Sequence, residues 1–474
     1  MKKTMIAATI LITLVVACVL FNQFYAAQNN DSPPLPDNEP PNTAMSSDPV
    51  DDSETRLSVQ EMRADLDYLV TTLEQVHPSL INGWNKEQRE AIDTVYNQLN
   101  APLTKDQFYY YAIEIITLLQ DAHSFISPYS NSTKSLSMSV YWTEEGPVVL
   151  NSTLHLQRGD LLISLGGLKS QELVSELKKV ISAENEEWVK MRGSGVMITD
   201  SFLKHLNLVK EDTVEVYINR NGEILSLNLP FNKKNVQESM NTPFDTGNGN
   251  YSYTINKDLS LGILQINACI FDEEYKNTLQ NFFAEVNQLK INHVAVDLRN
   301  NTGGDSRVID EFLRYVNVDK FTTFSGLVRF SPQAKELRNG DLSSGFERFP
   351  STEMKNTNQV SSAFSGKLYA LTSAKTFSSG NMFAVMLQDN KIGTIIGEPT
   401  GNQPSAYGDI LGFSLPHSQF QFSLSYKQFL RPNEQLNEQL TLEPDIPVYT
   451  TRQDIIDGRD AQLSKLEEMI KTEQ

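Results

Sequence analysis

The stretch "LYALTSAKTFSSGNMFAVML", Leu368 to Leu387, decides how this chain is read. It opens on an apolar run, Leu368-Tyr369-Ala370-Leu371, that fits a strand, and closes on Met382 to Leu387, patterned as a helix. Between them Ser378, Ser379 and Gly380 are small enough for a tight strand-to-helix turn. On these residues alone the two serines read most simply as an N-cap, a hydroxyl accepting a free N–H of the first turn. The same place also exposes a serine beside free N–H groups and the positive end of a helix, where a developing oxyanion is favoured.

The flanking pattern repeats that unit. Leu261 to Ile266 reads as a strand, 272–289 as a helix and His293 to Leu298 as a buried strand. A helix over 305–316, the strand Leu368 to Thr372, a helix over 379–389 and a short strand from Gly393 to Gly397 follow. Strands alternating with helices predict an α/β region, 251–450, with a mainly parallel sheet flanked by helices. Chemistry in such sheets gathers beyond the carboxyl ends of the strands. One such end is "VDLRNNTGGDS", Val296 to Ser306. Its paired glycines, Gly303 and Gly304, are either a plain turn or a place where backbone N–H groups approach a ligand closely.

Upstream the chain changes character three times. Lys2 and Lys3 precede an apolar run from Met5 to Phe21, which is the pattern of an export segment over 1–27. An uncleaved anchor, a cleaved signal, and a lipobox around "LVVAC" with Cys18 acylated are all open readings, and each puts the remainder outside the cytoplasm. Residues 28–56 are rich in Pro, Asn, Asp and Ser and too poor in large apolar residues to bury a core, so they read as a tether. Ser58-x-x-Glu61 is a capping box. With helices near 86–99 and 105–120 it predicts a helical domain over 57–127. Residues 128–231 alternate like strands, and with the run Gly159 to Gly167 they resemble a PDZ-like module. Residues 451–474 read as a C-terminal helix.

Length and charge narrow the functional classes. A chain of 474 residues should hold two or three domains. Forty basic against 59 acidic side chains leave a formal charge of −19, which argues against a nucleic-acid-binding surface. Only Cys18 and Cys269 occur, and Cys269 in "LQINACIF" reads as a small buried hydrophobe. Six histidines are present. His77 precedes a proline, His155 and His205 fall in the strand-rich region, His293 opens a strand and His417 sits in a polar loop. His123, in "LLQDAHSFI", stands just past a helix end. No His/Cys/Asp cluster has the spacing of a metal site, and no cofactor is expected.

Taken together, "LLQDAHSFI", "VAVDLRNNTGGD", "LYALTSAKTFSSGNMFAVMLQDNKIGTIIGEPTG" and "LEPDIPV" resemble the tail-specific (C-terminal processing) serine peptidases, closer to the tricorn-core branch than to the Ser-Lys branch. The resemblance spans roughly 57–450. It implies a ClpP/crotonase-like catalytic sheet, with a helical domain and a PDZ-like module before it. It implies Ser378 as nucleophile, with an oxyanion hole from the N–H groups of Ser379 and of Gly303 or Gly304. The Ser-Lys branch has its lysine where Gln403 stands. The tricorn-like branch takes its base from the position of His123, with a glutamate at Glu438, or less well Glu443. Ala122 stands where that branch has a serine, with Ser124 the neighbouring hydroxyl, and Asn381 stands where the family often has glutamate. The implied activity is serine-type endopeptidase cleavage of polypeptides. Its rivals are a non-catalytic peptide- or wall-binding protein and an acyl hydrolase. Oligomeric state and physiological substrate are not written in these motifs.

Overall fold

The computed structural model describes residues 56–127, 134–233, 242–244, 249–338 and 340–473. The expected export segment with Cys18, and all of the expected tether but Arg56, lie outside them. Among the described residues no helix is long and apolar enough to cross a membrane.

The chain enters through three helices, α1 (Val59–Val76), α2 (Lys86–Gln98) and α3 (Lys105–Thr117). Each starts on a reciprocal capping box, Ser58/Glu61, Asn85/Gln88 and Thr104/Gln107, so two orphan N–H groups are satisfied at every start. Met62, Leu66, Leu69, Leu73 and Val76 line the buried face of α1 at the spacing of helical turns.

An antiparallel sheet follows. Its strands are β1 (Lys134–Leu136), β2 (Val140–Thr143), β3 (Gly146–Val149), β4 (Leu161–Leu165), β5 (Leu168–Lys169), β6 (Thr213–Arg220) and β7 (Glu223–Lys233). They lie in the order β1-β7-β6-β4-β3-β2, with β5 paired to β4. Helices α4 (Ser170–Leu177) and α5 (Glu186–Val196) interrupt it. The helical region and this sheet share one apolar core, from Leu66 and Phe108 to Leu165, Val216 and Phe202.

The second sheet is the α/β one. Strands β8 (Tyr251–Asn256), β9 (Leu261–Ile266), β10 (His293–Asp297), β11 (Lys367–Thr372), β12 (Thr394–Gly397) and β13 (Ile446–Pro447) lie side by side in that order. Only β8 runs antiparallel; the other pairings are parallel. Helices α6 (Glu273–Leu289), α7 (Arg307–Leu313) and α8 (Ser379–Asp389) connect them. Strand β10 is buried at every position, as a strand covered on both faces must be. The α6 ring of Phe282 lies over Gly262 of β9, where an added Cβ would come within 3.0 Å of it.

The register brings the strand ends level. Gln265 pairs with Asp297, Asp297 with Leu371, and Thr372 with Gly397. The segments that follow, 267–272, 298–306, 373–378 and 398–406, therefore crowd one end of the sheet.

A third sheet was not anticipated from the sequence. Phe346–Phe349 pairs with Ser325–Arg329, which pairs with Gln421–Leu430 of a long hairpin whose other arm is Tyr407–Ser414, and Phe125–Ile126 pairs with Gln421–Leu430 as well. The hairpin's inward residues Leu411, Phe422 and Leu424 join the core of the helical region. The expected C-terminal helix is two helices, Arg452–Asp457 and α9 (Ala461–Glu473), because Gly458 adopts a left-handed cap at φ 65°.

Phe282 is fully buried in the α6 interface. Phe282→Ala should lower the unfolding free energy by about 3–5 kcal/mol, read as a fall in the urea midpoint.

Candidate active site

Ser378 occupies the turn between β11 and α8 with φ 50° and ψ −126°. A non-glycine residue at positive φ is uncommon, and such strain costs about 1–3 kcal/mol when the surroundings impose it. It also takes Ser378 out of the extended conformation of an N-cap, and its side chain makes no capping bond. The capping reading of this serine therefore fails.

Four bonds impose the turn. The Ser373 hydroxyl donates to Arg299 O at 2.7 Å and the Thr376 hydroxyl to Leu298 O at 2.9 Å. The Phe377 N–H donates to Asn301 O at 2.9 Å, and the Ser378 N–H to Asn402 Oδ1 at 3.0 Å. The 373–377 stretch is thus fastened along the segment that leaves β10, and Ser378 itself to the segment after β12.

The paired glycines lie directly against the serine. A Cβ on Gly303, at φ +103°, would sit 2.4 Å from Ser378 Cβ and 3.0 Å from its Oγ. A Cβ on Gly304, at φ +134°, would sit 2.1 Å from Cys269 O. Only glycine fits either place. The Gly303 N–H is already taken by Asn301 Oδ1 at 2.8 Å. The N–H groups of Gly304 and Ser379 have no hydrogen-bond partner among the described residues. The Ser379 hydroxyl donates to Gly304 O at 2.7 Å, which locks those two peptides to each other.

His123 reaches this end of the sheet from the segment after α3. Its ring packs on Phe377, the residue before Ser378, with centroids 4.5 Å apart. Phe377 in turn stacks on Trp188 at 4.0 Å. No hydrogen bond joins His123 to Ser378 Oγ. The His123 Nδ1 is buried without a partner among the described residues and lies 3.8 Å from Asp121 Oδ1. Burial pushes the imidazole below its ordinary range, with the charges of Asp121 and Asp409 acting the other way.

The carboxylates around it differ in state. Burial alone would raise Asp121. The hydrogen bond and charge of His77, the charge of His123 and the Ser124 hydroxyl outweigh it and hold the carboxyl well below its usual range. Its Oδ2 accepts from His77 Nε2 at 3.1 Å and from Ser124 Oγ at 2.5 Å, and its Oδ1 accepts the His123 N–H at 3.0 Å. Ser124 is therefore turned toward Asp121. Asp409 pairs with Lys427 at 2.6 Å. Burial would lower Lys427, but Asp409 keeps it protonated. Glu184 is pushed up to about 8 by burial and by the Asp121 charge. Asp121, His123 and Glu184 offer atoms within 4.8 Å of one another, close enough for one cation to bridge.

The other expected residues fall as follows. Glu438 and Glu443 are exposed, and no hydrogen bond or ion pair joins either to His123. Gln403 donates to Asn437 O at 3.3 Å, and its own carbonyl accepts from Asn381 Nδ2 at 3.2 Å. Ala122 is buried with Trp188, Met191 and Phe377. Lys375 Nζ lies 3.5 Å from Asn300 Oδ1. Cys269 is buried, and burial pushes its thiol up to about 12, so it is inert. Asn301, Asn402 and Glu184 were not singled out in the sequence. The first two are polar residues in glycine-rich turns, and Glu184 sits in an ordinary acidic run, "AENEE".

Residues 260–448 carry β9 to β13 and the Ser378 turn. They match the family described as peptidase family S41. Among solved structures, mature CPAF complexed with lactacystin is similar with a TM-score of 0.65 and 15% identity, over 87% of this chain and 98% of that one. A putative peptidase from Parabacteroides merdae is similar with a TM-score of 0.50 and 14% identity, over 86% and 96% of the two chains. At these identities the likeness is one of fold. No curated protein matches the sequence.

Gly303→Ala forces a methyl into the Ser378 side chain. It should slow labelling of Ser378 by a fluorophosphonate by at least about 100-fold, with the far-ultraviolet circular dichroism unchanged.

Proposed function

We propose that this chain is a serine endopeptidase acting on polypeptides outside the cytoplasm, with Ser378 as nucleophile and His123 as general base. The observation that carries the reading is the Ser378 turn, a serine held at φ 50° at a strand-to-helix junction with no cap to make. A strained turn of this kind exposes a nucleophile above the sheet. The free N–H groups of Gly304 and Ser379 on either side of it supply the oxyanion donors.

The chemistry follows from the groups. The His123 imidazole takes the Ser378 proton as Oγ bonds to the scissile carbonyl carbon. The carbonyl electron pair moves onto oxygen, facing the two N–H groups. The tetrahedral species collapses as the C–N bond breaks and the imidazolium protonates the leaving amine. Water then repeats the sequence on the acyl-enzyme. Catalytic hydrogen bonds of this type tighten when substrate binds. A histidine base is favoured over lysine because Lys427 is held protonated by Asp409. The antiparallel sheet ends on β2, an edge strand to which a peptide C-terminus adds as a further strand in the PDZ-like manner.

Ser378→Ala should abolish peptide hydrolysis and fluorophosphonate labelling while the fold persists, and His123→Ala should lose most of both. Turnover in Ser378→Ala defeats the assignment. A folded wild type that neither labels nor turns over supports the binding-protein rival, and ester turnover without peptide turnover supports the acyl hydrolase. The base must be neutral and its pKa is lowered, so the acid limb of kcat/KM should have its midpoint below the ordinary histidine value of about 6.5. A midpoint above that value contradicts His123 as base. The export reading, with the tether holding the enzyme at a membrane, predicts that Cys18→Ser moves the protein out of the membrane fraction if Cys18 is acylated. An unchanged membrane fraction points to the uncleaved anchor.

A further inference from the structure

We propose that Glu184 is the positioning carboxylate for His123, in the part that the family resemblance gives to Glu438. The proposal rests on the peptidase reading for its purpose but not for its test.

The charged groups facing the ring can be taken in turn. Asp121, on the ring's own segment, is committed to His77, Ser124 and the His123 backbone N–H, and stands 3.8 Å from Nδ1, beyond a hydrogen bond. Asp409, on the hairpin Tyr407–Leu430, is paired with Lys427 at 2.6 Å. Glu184 approaches from the segment before α5. Its Oε2 is buried and without a partner among the described residues, and so is His123 Nδ1. One is an acceptor and the other carries a ring N–H in the tautomer whose second nitrogen is free to take a proton. A carboxylate oxygen of Glu184 and a ring nitrogen of His123 already lie within 4.8 Å. A side-chain rotation of Glu184 pairs the two orphans and satisfies both.

A second link ties Glu184 to the serine. Asn402 Nδ2 donates to Glu184 Oε1 at 3.4 Å, while Asn402 Oδ1 accepts the Ser378 N–H at 3.0 Å. One amide thus spans the carboxylate and the nucleophile's own peptide. Glu438 has no comparable placement: it is exposed and has no hydrogen-bond or ion-pair partner among the described residues.

Burial and the Asp121 charge push Glu184 up to about 8, and the positive charge of an imidazolium beside it favours its ionised form. When the imidazole takes the Ser378 proton, Nδ1 keeps its own proton and donates it to the Glu184 carboxyl. No proton leaves the ring toward Glu184, so the glutamate orients and stabilises without entering the bond changes.

The test is made on the full-length protein with Glu184→Gln, Glu184→Asp and Glu438→Gln. The His123 ring is followed by NMR across pH, which needs no turnover, alongside the pH profile of fluorophosphonate labelling. Removing a carboxylate removes a partner of the imidazolium. Glu184→Gln should therefore shift the His123 titration to lower pH and slow labelling at least tenfold. Glu184→Asp should restore most of the labelling, and Glu438→Gln should leave both readings at wild-type values. An unmoved His123 titration in folded Glu184→Gln, or a shift in Glu438→Gln instead, overturns the proposal. Should Glu184→Gln not fold, Glu184→Asp decides, since an unmoved titration there also overturns it. Absence of Ser378 labelling in the wild type counts against the peptidase reading alone, and the titration still decides the role of Glu184.

Discussion

The side chain of Asn301 is the tie on which the sheet end depends. It is fully buried. Its Oδ1 accepts the Gly303 N–H at 2.8 Å and its Nδ2 donates to Ile266 O at 3.0 Å, while its backbone carbonyl accepts the Phe377 N–H at 2.9 Å. One residue thereby fastens the ends of β9 and β10 to the turn before α8. Gly380 is part of the same arrangement, because a Cβ there would stand 2.6 Å from Asn301 Oδ1. With both amide groups satisfied in a low-dielectric setting, the network admits one geometry, and a partly satisfied version would be costly. The direction of the Gly304 and Ser379 N–H groups follows from it.

The candidate site is then a meeting of two scaffolds. The serine and its neighbouring N–H groups belong to the parallel sheet. The imidazole belongs to the segment after α3, whose carboxylate Asp121 is anchored by His77 at the end of α1. What joins them is mostly apolar: His123 on Phe377, and Phe377 on Trp188 of α5. Ala122 belongs to this layer, and its methyl packs where a hydroxyl would need a partner. Ala122 is accommodated as packing, and Ser124 is turned to hold Asp121.

The sequence was most legible where periodicity and burial agree. The β9–α6–β10 unit and the β11–α8 unit were visible because continuous apolar strands alternate with helices of regular apolar spacing. The capping box of Ser58 marked the start of α1. The hairpin 407–430 was missed although "QFSLSYKQFL" alternates, because its partner "YGDILGFS" carries glycines and an aspartate that read as loop. At the site, motifs pointed to Ser378, the glycines and His123. They did not indicate which glycine keeps a free N–H, since that depends on the Asn301 side chain folding back onto Gly303. Nor did they indicate Glu184, whose relation to His123 exists only in three dimensions.

The hairpin has a consequence for the order of events in folding. The His123 segment is pinned by residues that come after Ser378: Ser127 N–H donates to Gln421 O at 2.8 Å, Phe125–Ile126 pairs with Phe422 and Ser423, and Ser425 N–H donates to Ser124 Oγ at 3.2 Å. The imidazole is therefore placed by the hairpin 407–430, and the serine by a sheet and turn that draw on residues both before and after it, Asn301 and Asn402 among them. No nascent or truncated chain that stops short of Ser425 holds both in position. The arrangement that brings His123 against the Ser378 turn is therefore complete only once the hairpin has been made.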